Sequence, residues 1–215
     1  NVSTCVAKSH LDVVGLVAAP YASGLACLVE DEMELGVILI DMGGSVTSLA
    51  VFHEGQLRYT ECIPIGGMHV TMDIARCFST TLIHAERLKT LYGSAIHSVS
   101  DDREMIVVPL VGERRGEGTN QMPRSALVSV IKPRIEEIFE YIRDRLKKAG
   151  VDPFLGRRVV LTGGASQLAG IKEVATLILG KNIRLGKPIH LTSHELSHNP
   201  SFSTCAGLLS YGETE

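Results

Sequence analysis

The residues best suited to chemistry lie in short glycine turns that follow apolar stretches. Asp41-Met42-Gly43-Gly44-Ser45 comes directly after GVILI, residues 36–40. Glycines let a backbone approach an anion closely, and the amides of such a turn can point inward at a phosphate. Asp41, at the strand end, stands where the waters of a Mg2+ ion could be held. The same residues would also serve a plain two-strand hairpin, with Gly-Gly supplying positive φ. Leu161-Thr162-Gly163-Gly164-Ala165-Ser166 repeats the order of strand, glycines and helix start. Backbone N–H groups and a helix dipole then meet at one point, a common setting for nucleotides. The turn is neither a Walker A loop, because no Gly-Lys-Ser/Thr follows, nor GxGxxG. The third element is Ala85-Glu86-Arg87-Leu88-Lys89. Glu86 and Lys89 are three apart and share a helix face. They make either a surface ion pair or a pair of groups set over a ribose and base.

Two other chemistries are set aside. His194-Glu195-Leu196-Ser197-His198 matches HExxH, which needs a sustained helix to put both imidazoles on one face. Asn199-Pro200 would end that helix after little more than a turn, so a connecting loop is expected and no direct metal ligand is assigned. No G-x-S-x-G elbow offers a nucleophile. The cysteines Cys5, Cys27, Cys62, Cys77 and Cys205 are odd in number and lack a CxxC pair, unlike a disulfide scaffold or zinc ribbon. Cys27, Cys77 and Cys205 sit in apolar sequence and are expected as buried small hydrophobes.

The elements that must position these residues alternate between strand and helix. Residues 1–9 suggest the tail of a helix, 12–18 a short apolar strand, and 20–29 a helix opening at Pro20. Glu30, Asp31, Glu32 and Glu34 suggest a solvated turn. Strands are expected at 36–40, 49–53 and 56–63, a meander with a tight turn at Glu54-Gly55. Helices are expected at 71–82, with Thr71 as N-cap, and at 84–92, closed by Gly93. A strand at 105–110 and a Gly- and Arg-rich polar loop at 112–121 precede the longest helix, 125–149. That helix should carry a kink or irregular turn at Pro133 and stop at Gly150. Then follow a strand at 158–161, a helix at 167–179, a strand at 183–185, a polar loop at 192–199 and a closing helix at 203–211. The whole reads as α/β with a small α+β insertion between Ser94 and Ala149.

Composition narrows the classes. The chain has 215 residues, 45% hydrophobic and 21% charged, which argues against disorder. A formal net charge of −3 offers no broad positive field, so nucleic-acid binding is not expected as a main activity. Residues 1–10 lack a basic n-region, and the uncharged stretch 13–29 is too short and too interrupted for a membrane span. A cytoplasmic, soluble chain is expected.

The order of the motifs carries more than any one of them. DMGGSVTSLAVF, IPIGGMHVTMDIA, AERLK, VVLTGGASQLAGI and FSTCAGLLSYG together resemble the second half of an actin-like ATPase, and their wording resembles the bacterial cell-division family FtsA. The resemblance implies an actin-like, ribonuclease H-like lobe that binds ATP with Mg2+. The phosphate loop would fall on Asp41–Thr47, including Gly43, Gly44, Ser45 and Thr47. The adenosine loop would fall on Gly163, Gly164 and Ala165, and the ribose and adenine contacts on Glu86 and Lys89. Residues 1–29 would be a remnant of the first lobe ending in the first connecting helix. Residues 30–93 and 151–199 would form the second-lobe core, 94–150 the inserted subdomain, and 200–215 the second connecting helix.

By the same resemblance the insertion would receive the C-terminal tail of the tubulin-like protein FtsZ, with Arg134 and Glu137 on its helix, and Arg134 pairing with acidic groups. Further implied properties are self-association into filaments, contact with other division proteins, and a place at the inner face of the membrane at the division site. Membrane attachment would pass only through a C-terminal helix that is not among these residues. The family's first phosphate loop is likewise not among them, so tight ATP binding by these residues alone is not expected. Val46 stands where a hydroxyl could meet a phosphate, and Ser48 where the family often has an acid, so weak or no ATPase activity is expected. The alternatives are a sugar or metabolite kinase of the same fold and a pilus-assembly actin-like protein.

Overall fold

A computed structural model describes residues 1–112, 119–151, 156–189 and 198–214. The polar loop expected at 112–121 and the pair His194-Glu195 lie largely or wholly outside the described residues.

The element order is α1 (Val2–Lys8), α2 (Ala19–Cys27), α3 (Glu30–Leu35), β1 (Val37–Met42), β2 (Thr47–His53), β3 (Gln56–Ile63), α4 (Gly67–Cys77), α5 (Leu82–Tyr92), β4 (Met105–Pro109), β5 (Thr119–Pro123), α6 (Arg124–Ala149), β6 (Arg158–Thr162), α7 (Ile171–Leu179), β7 (Asn182–Leu185) and α8 (Ser203–Thr214). Short 3-10 turns at Gly164–Gln167 and Pro200–Phe202 complete it. The architecture is mixed α/β. One five-stranded sheet runs β3-β2-β1-β6-β7, and a separate hairpin pairs β4 with β5. β1 pairs antiparallel with β2 and parallel with β6, whose register sets Asp41 beside Thr162. The two glycine turns therefore leave the same end of two neighbouring parallel strands. That is where ligands gather in open α/β sheets.

Strand alternation divides the core into two layers. Val37 and Leu39 of β1, with Ala50, Phe52 and Val160, face α2 and α8. Ile38, Ile40 and Met42, with Leu49, Val51, Val159 and Leu161, face the other way, against α4, α5, α6 and α7. Nearly all of these are fully buried. The second layer continues without a break into Ile106 and Val108 of β4 and Leu127, Ile131, Ile135 and Ile138 of α6. The hairpin and the long helix thus share a core with the sheet.

Several elements differ from expectation. Residues 12–18 form no strand: they pair with nothing among the described residues, and Val14 and Leu16 are largely exposed. The acidic run at 30–34 is a helix, not a solvated turn. Glu32 is drawn inward, with Oε1 accepting from Arg158 at 3.0 Å and Arg184 at 2.7 Å. Thr71 caps nothing, because α4 starts four residues earlier, at Gly67. Thr81 instead caps α5, its side chain accepting from the His84 amide. The stretch expected as one helix over 167–179 is a 3-10 turn followed by α7, separated by Gly170 in the left-handed region. The strand β5 was not foreseen. α6 passes through Pro133 without ending, although a proline there supplies no amide to the preceding turn. Of the three cysteines expected inside, Cys27 is buried, whereas Cys77 and Cys205 are exposed. Cys77 ends the amphipathic α4, whose buried side is carried by Val70 and Ile74, and Cys205 shares the exposed side of α8 with Leu208 and Leu209.

Candidate nucleotide site

β1 ends in Asp41-Met42 and turns through residues 43–46, closed by the Gly43 amide donating to the Val46 carbonyl at 2.9 Å. The turn is thus a hairpin, but neither Gly43 nor Gly44 takes the positive φ that the plainer reading expected of them. It is also docked. The carbonyls of Gly43 and Gly44 accept from the Gly67 and Met68 amides, at 2.9 and 2.7 Å. The first amides of α4 have no partner inside their own helix, and the turn supplies them. The contact needs a bare backbone: a Cβ on Gly66 would lie 2.5 Å from the Gly43 oxygen and 2.6 Å from the Gly44 oxygen.

From α5, Lys89 Nζ donates to the Gly67 carbonyl at 3.0 Å, to Thr71 Oγ1 at 2.9 Å and to Glu86 Oε2 at 2.8 Å. Thr71 Oγ1 also donates to Glu86 Oε2 at 2.5 Å. The Glu86–Lys89 pair is therefore more than a solvated ion pair, since the lysine side chain is only 16% exposed. Burial pushes the Glu86 carboxyl upward, but the hydrogen bonds from Lys89 and Thr71 and the ammonium charge hold it below the usual range.

The second turn leaves β6. Gly163 has φ 86, a left-handed conformation that favours glycine. A Cβ there would lie 2.4 Å from Asp41 Oδ1. Ser166 folds the turn back, its amide and hydroxyl both donating to the Gly163 carbonyl, at 3.1 and 2.7 Å.

These pieces enclose a cavity of about 620 Å³, within the usual range for small-molecule and cofactor sites. Gly43, Gly44, Glu86, Lys89, Gly164 and Ala165 line it. Gly163 is not among the lining residues. Ser45 is exposed outside it. Thr47 is buried and turned away, donating to the Ile65 carbonyl at 2.7 Å. Asp41 is not a lining residue either: its Oδ2 accepts from Ser23 of α2 at 2.6 Å and Thr204 of α8 at 3.1 Å. The two hydroxyls also meet each other at 2.8 Å. Beside them Cys27 Sγ donates to Ser203 Oγ at 3.2 Å, and Ser203 meets Thr162 at 2.6 Å. Arg134 and Glu137 stand apart from the cavity on α6. Arg134 Nε donates to Asp73 Oδ2 at 2.7 Å, and the same guanidinium pairs with Glu137.

Sequence reasoning missed part of the lining: Gly67, Met68, Arg124, Gln167, Leu168 and Ser201. The first two carried a signal, because Ile65-Gly66-Gly67 again places a glycine pair between strand and helix. Arg124 carried none, being brought in by a helix 35 residues beyond Lys89.

The sequence model described as "Cell division protein FtsA" matches residues 38–207. The chain belongs to the FtsA family of cell-division proteins. It is 49% identical over 212 residues to the FtsA of Agrobacterium fabrum, covering 98% of this chain and 48% of that protein. The FtsA of Escherichia coli is 36% identical, with 99% of this chain and 52% of the relative covered. The chain thus spans about half the length of the curated FtsA proteins it matches. Among solved structures, MreB5 of Spiroplasma citri bound to ADP superposes with a TM-score of 0.76 at 16% identity, covering 98% of this chain and 64% of the other. A PilM-PilN type IV pilus biogenesis complex gives 0.69 at 22%, covering 96% and 55%. These likenesses establish the actin-like fold.

Proposed function

We propose that this FtsA-family chain is the nucleotide-holding lobe of an actin-like division scaffold. The observation that carries the reading is the convergence of two strand-end glycine turns and the Glu86–Lys89 pair on one cavity. The residues fit ATP in type. Gly44 has open space where a Cβ would be, leaving backbone next to a phosphate, while Glu86, held in place by Lys89, offers a carboxylate acceptor to a ribose. Mg2+ would ride on phosphate oxygens and their waters, as it usually does. Asp41 Oδ1 lies on the Gly163 side of the strand end and could hold one such water. ATP acts here as a conformational and polymerisation ligand with weak or no hydrolysis.

The test is a titration of Mg-ATP followed by amide NMR. The expected result is selective shifts at Gly43, Gly44, Gly164 and Ala165, with Lys89→Ala weakening binding about tenfold, because it releases Glu86 and the first turn of α4 from their charge-assisted bonds. No shift at those four glycine-turn residues with ATP at a concentration of about 10 mM, far above an ordinary metabolite-range affinity, would overturn the reading.

The same scaffold would tether FtsZ polymers at the inner face of the membrane at the division site and assemble into filaments with other division proteins. Arg134 and Glu137 remain the proposed contacts for the FtsZ C-terminal tail. Since Arg134 is held by Asp73, the tail must displace a carboxylate. Asp73→Asn should therefore raise capture of the synthetic FtsZ tail peptide several-fold, and Arg134→Ala should abolish it. Equal capture by both variants and the parent chain would remove the tail from this helix.

A further inference from the structure

The cavity has a far end, beyond Glu86 and Lys89, that the nucleotide reading leaves without a named polar group. Thr90, Leu91 and Gly93 of the α5 end line it, with Leu168 and Ala169 opposite. Four residues of helix separate Lys89 from Gly93, about 6 Å along the axis. If phosphates lie at Gly43 and Gly164 and the ribose at Glu86–Lys89, this end takes the base. Its walls are tied together by the Ala95 amide, which donates to the Ala169 carbonyl at 2.8 Å.

Arg124, the first residue of α6, is the charged side chain at this end of the cavity. It is held through two of its nitrogens. Nε donates to the Tyr92 carbonyl at 2.7 Å, and Nη1 donates to Asp101 Oδ1 at 3.0 Å and Glu104 Oε2 at 3.3 Å. Asp101 is itself 1% exposed and accepts from the Ser98 amide at 2.7 Å. Nη2 has no partner among the described residues. The other cation lining the cavity, Lys89, is spent on Gly67, Thr71 and Glu86. Arg124 is thus a planar cation, fixed in its plane by three partners on Nε and Nη1, with Nη2 unpartnered among the described residues. A guanidinium so fixed stacks on a flat π-system without paying to order itself.

We propose that Arg124 is the base-contacting residue of this site, its guanidinium plane lying on the face of a purine and setting purine over pyrimidine preference. The proposal rests on the nucleotide reading above and extends it to the identity of the base.

The test compares ligands that contain the base with one that lacks it, on the whole 215-residue chain, by NMR titration. Adenosine and Mg-ATP should each lose about tenfold in affinity in Arg124→Ala, while tripolyphosphate with Mg2+ is unchanged. The ratio of ATP to CTP affinity should fall toward one. Because removing Arg124 leaves Asp101 buried and unpaired, Arg124→Lys is measured alongside. It keeps a cation beside Asp101 and should keep the unfolding midpoint, yet lose most of the ATP-over-CTP preference. An equal loss for tripolyphosphate, or full preference in Arg124→Lys, would reduce Arg124 to a structural or purely electrostatic role and overturn the proposal. If ATP moves the glycine-turn amides but neither variant changes adenosine binding, the proposal fails and the nucleotide reading stands. If no ligand binds the parent chain, both fall.

Discussion

Lys89 spends its three donors inside the chain, on a carbonyl, a hydroxyl and a carboxylate. A lysine so used is a strut before it is a ligand. It fixes α5 against the first turn of α4, which in turn carries the Gly43–Gly44 carbonyls. Glu86→Gln removes the charge that Lys89 neutralises while keeping the shape. Since the Glu86 carboxyl is held below its usual range, its stabilising contribution is complete at neutral pH and is lost as pH falls through that range. Glu86→Gln should therefore lower the urea midpoint at pH 7 and match the parent chain near pH 3, with a neutral-pH loss of about 1 kcal/mol for a half-exposed pair. A loss that persists unchanged at low pH would show that packing, not charge, holds the pair. The pair was legible in the sequence from its i,i+3 spacing. Its partners Thr71 and Gly67 were not, because they come from another helix whose start was placed four residues late.

At the scale of elements, the docking of the β1–β2 turn on α4 depends on the missing side chain at Gly66. Gly66→Ala puts a methyl 2.5 Å from a carbonyl oxygen, so turn and helix must separate. The expected cost is about 2 kcal/mol, with loss of the ATP-induced shifts at Gly43 and Gly44. Parent-like stability and shifts would show that the turn docks differently. Glu32 makes a second element-level link. It carries α3 to β6 and β7 through Arg158 and Arg184 and is 11% exposed. Burial pushes its carboxyl upward, but Arg184 and the Val29 amide hold it below the usual range. Glu32→Gln should cost about 2 kcal/mol at pH 7, shrinking toward zero as the medium is acidified past the glutamate range. A pH-independent cost would contradict the ion pair as its source. The strands β1, β2 and β6 were readable from their apolar runs, because a buried strand in this sheet has few ways to be polar. The edge strand β3, half-exposed or exposed along most of its length, was legible from the Glu54-Gly55 turn before it. β5, TNQMP, has no apolar run and exists by pairing with β4, so its own residues do not announce it. The failure at 12–18 is the converse: an apolar run with strand composition and no sheet among the described residues to join.

For the whole molecule, the close seam between α2 and α8 decides how these two helices sit on the sheet. A Cβ on Gly207 would lie 1.7 Å from the Ala22 carbonyl oxygen, which no small adjustment relieves. Gly207→Ala should cost more than about 3 kcal/mol or shift α8 off α2, read by chemical denaturation. Gly212→Ala, on the same helix with nothing within 4 Å, should gain about 0.5–1 kcal/mol from helix propensity. Equal effects at the two positions would mean that the helices are not in contact. Cys27 lies in this seam, hydrogen-bonded to Ser203 and Thr162, its thiol pushed upward chiefly by burial. Cys5, Cys62, Cys77 and Cys205 are exposed. The chain therefore carries its own clock: with a thiol reagent, four groups should react at once and one slowly, and the slow rate counts how often α2 and α8 part.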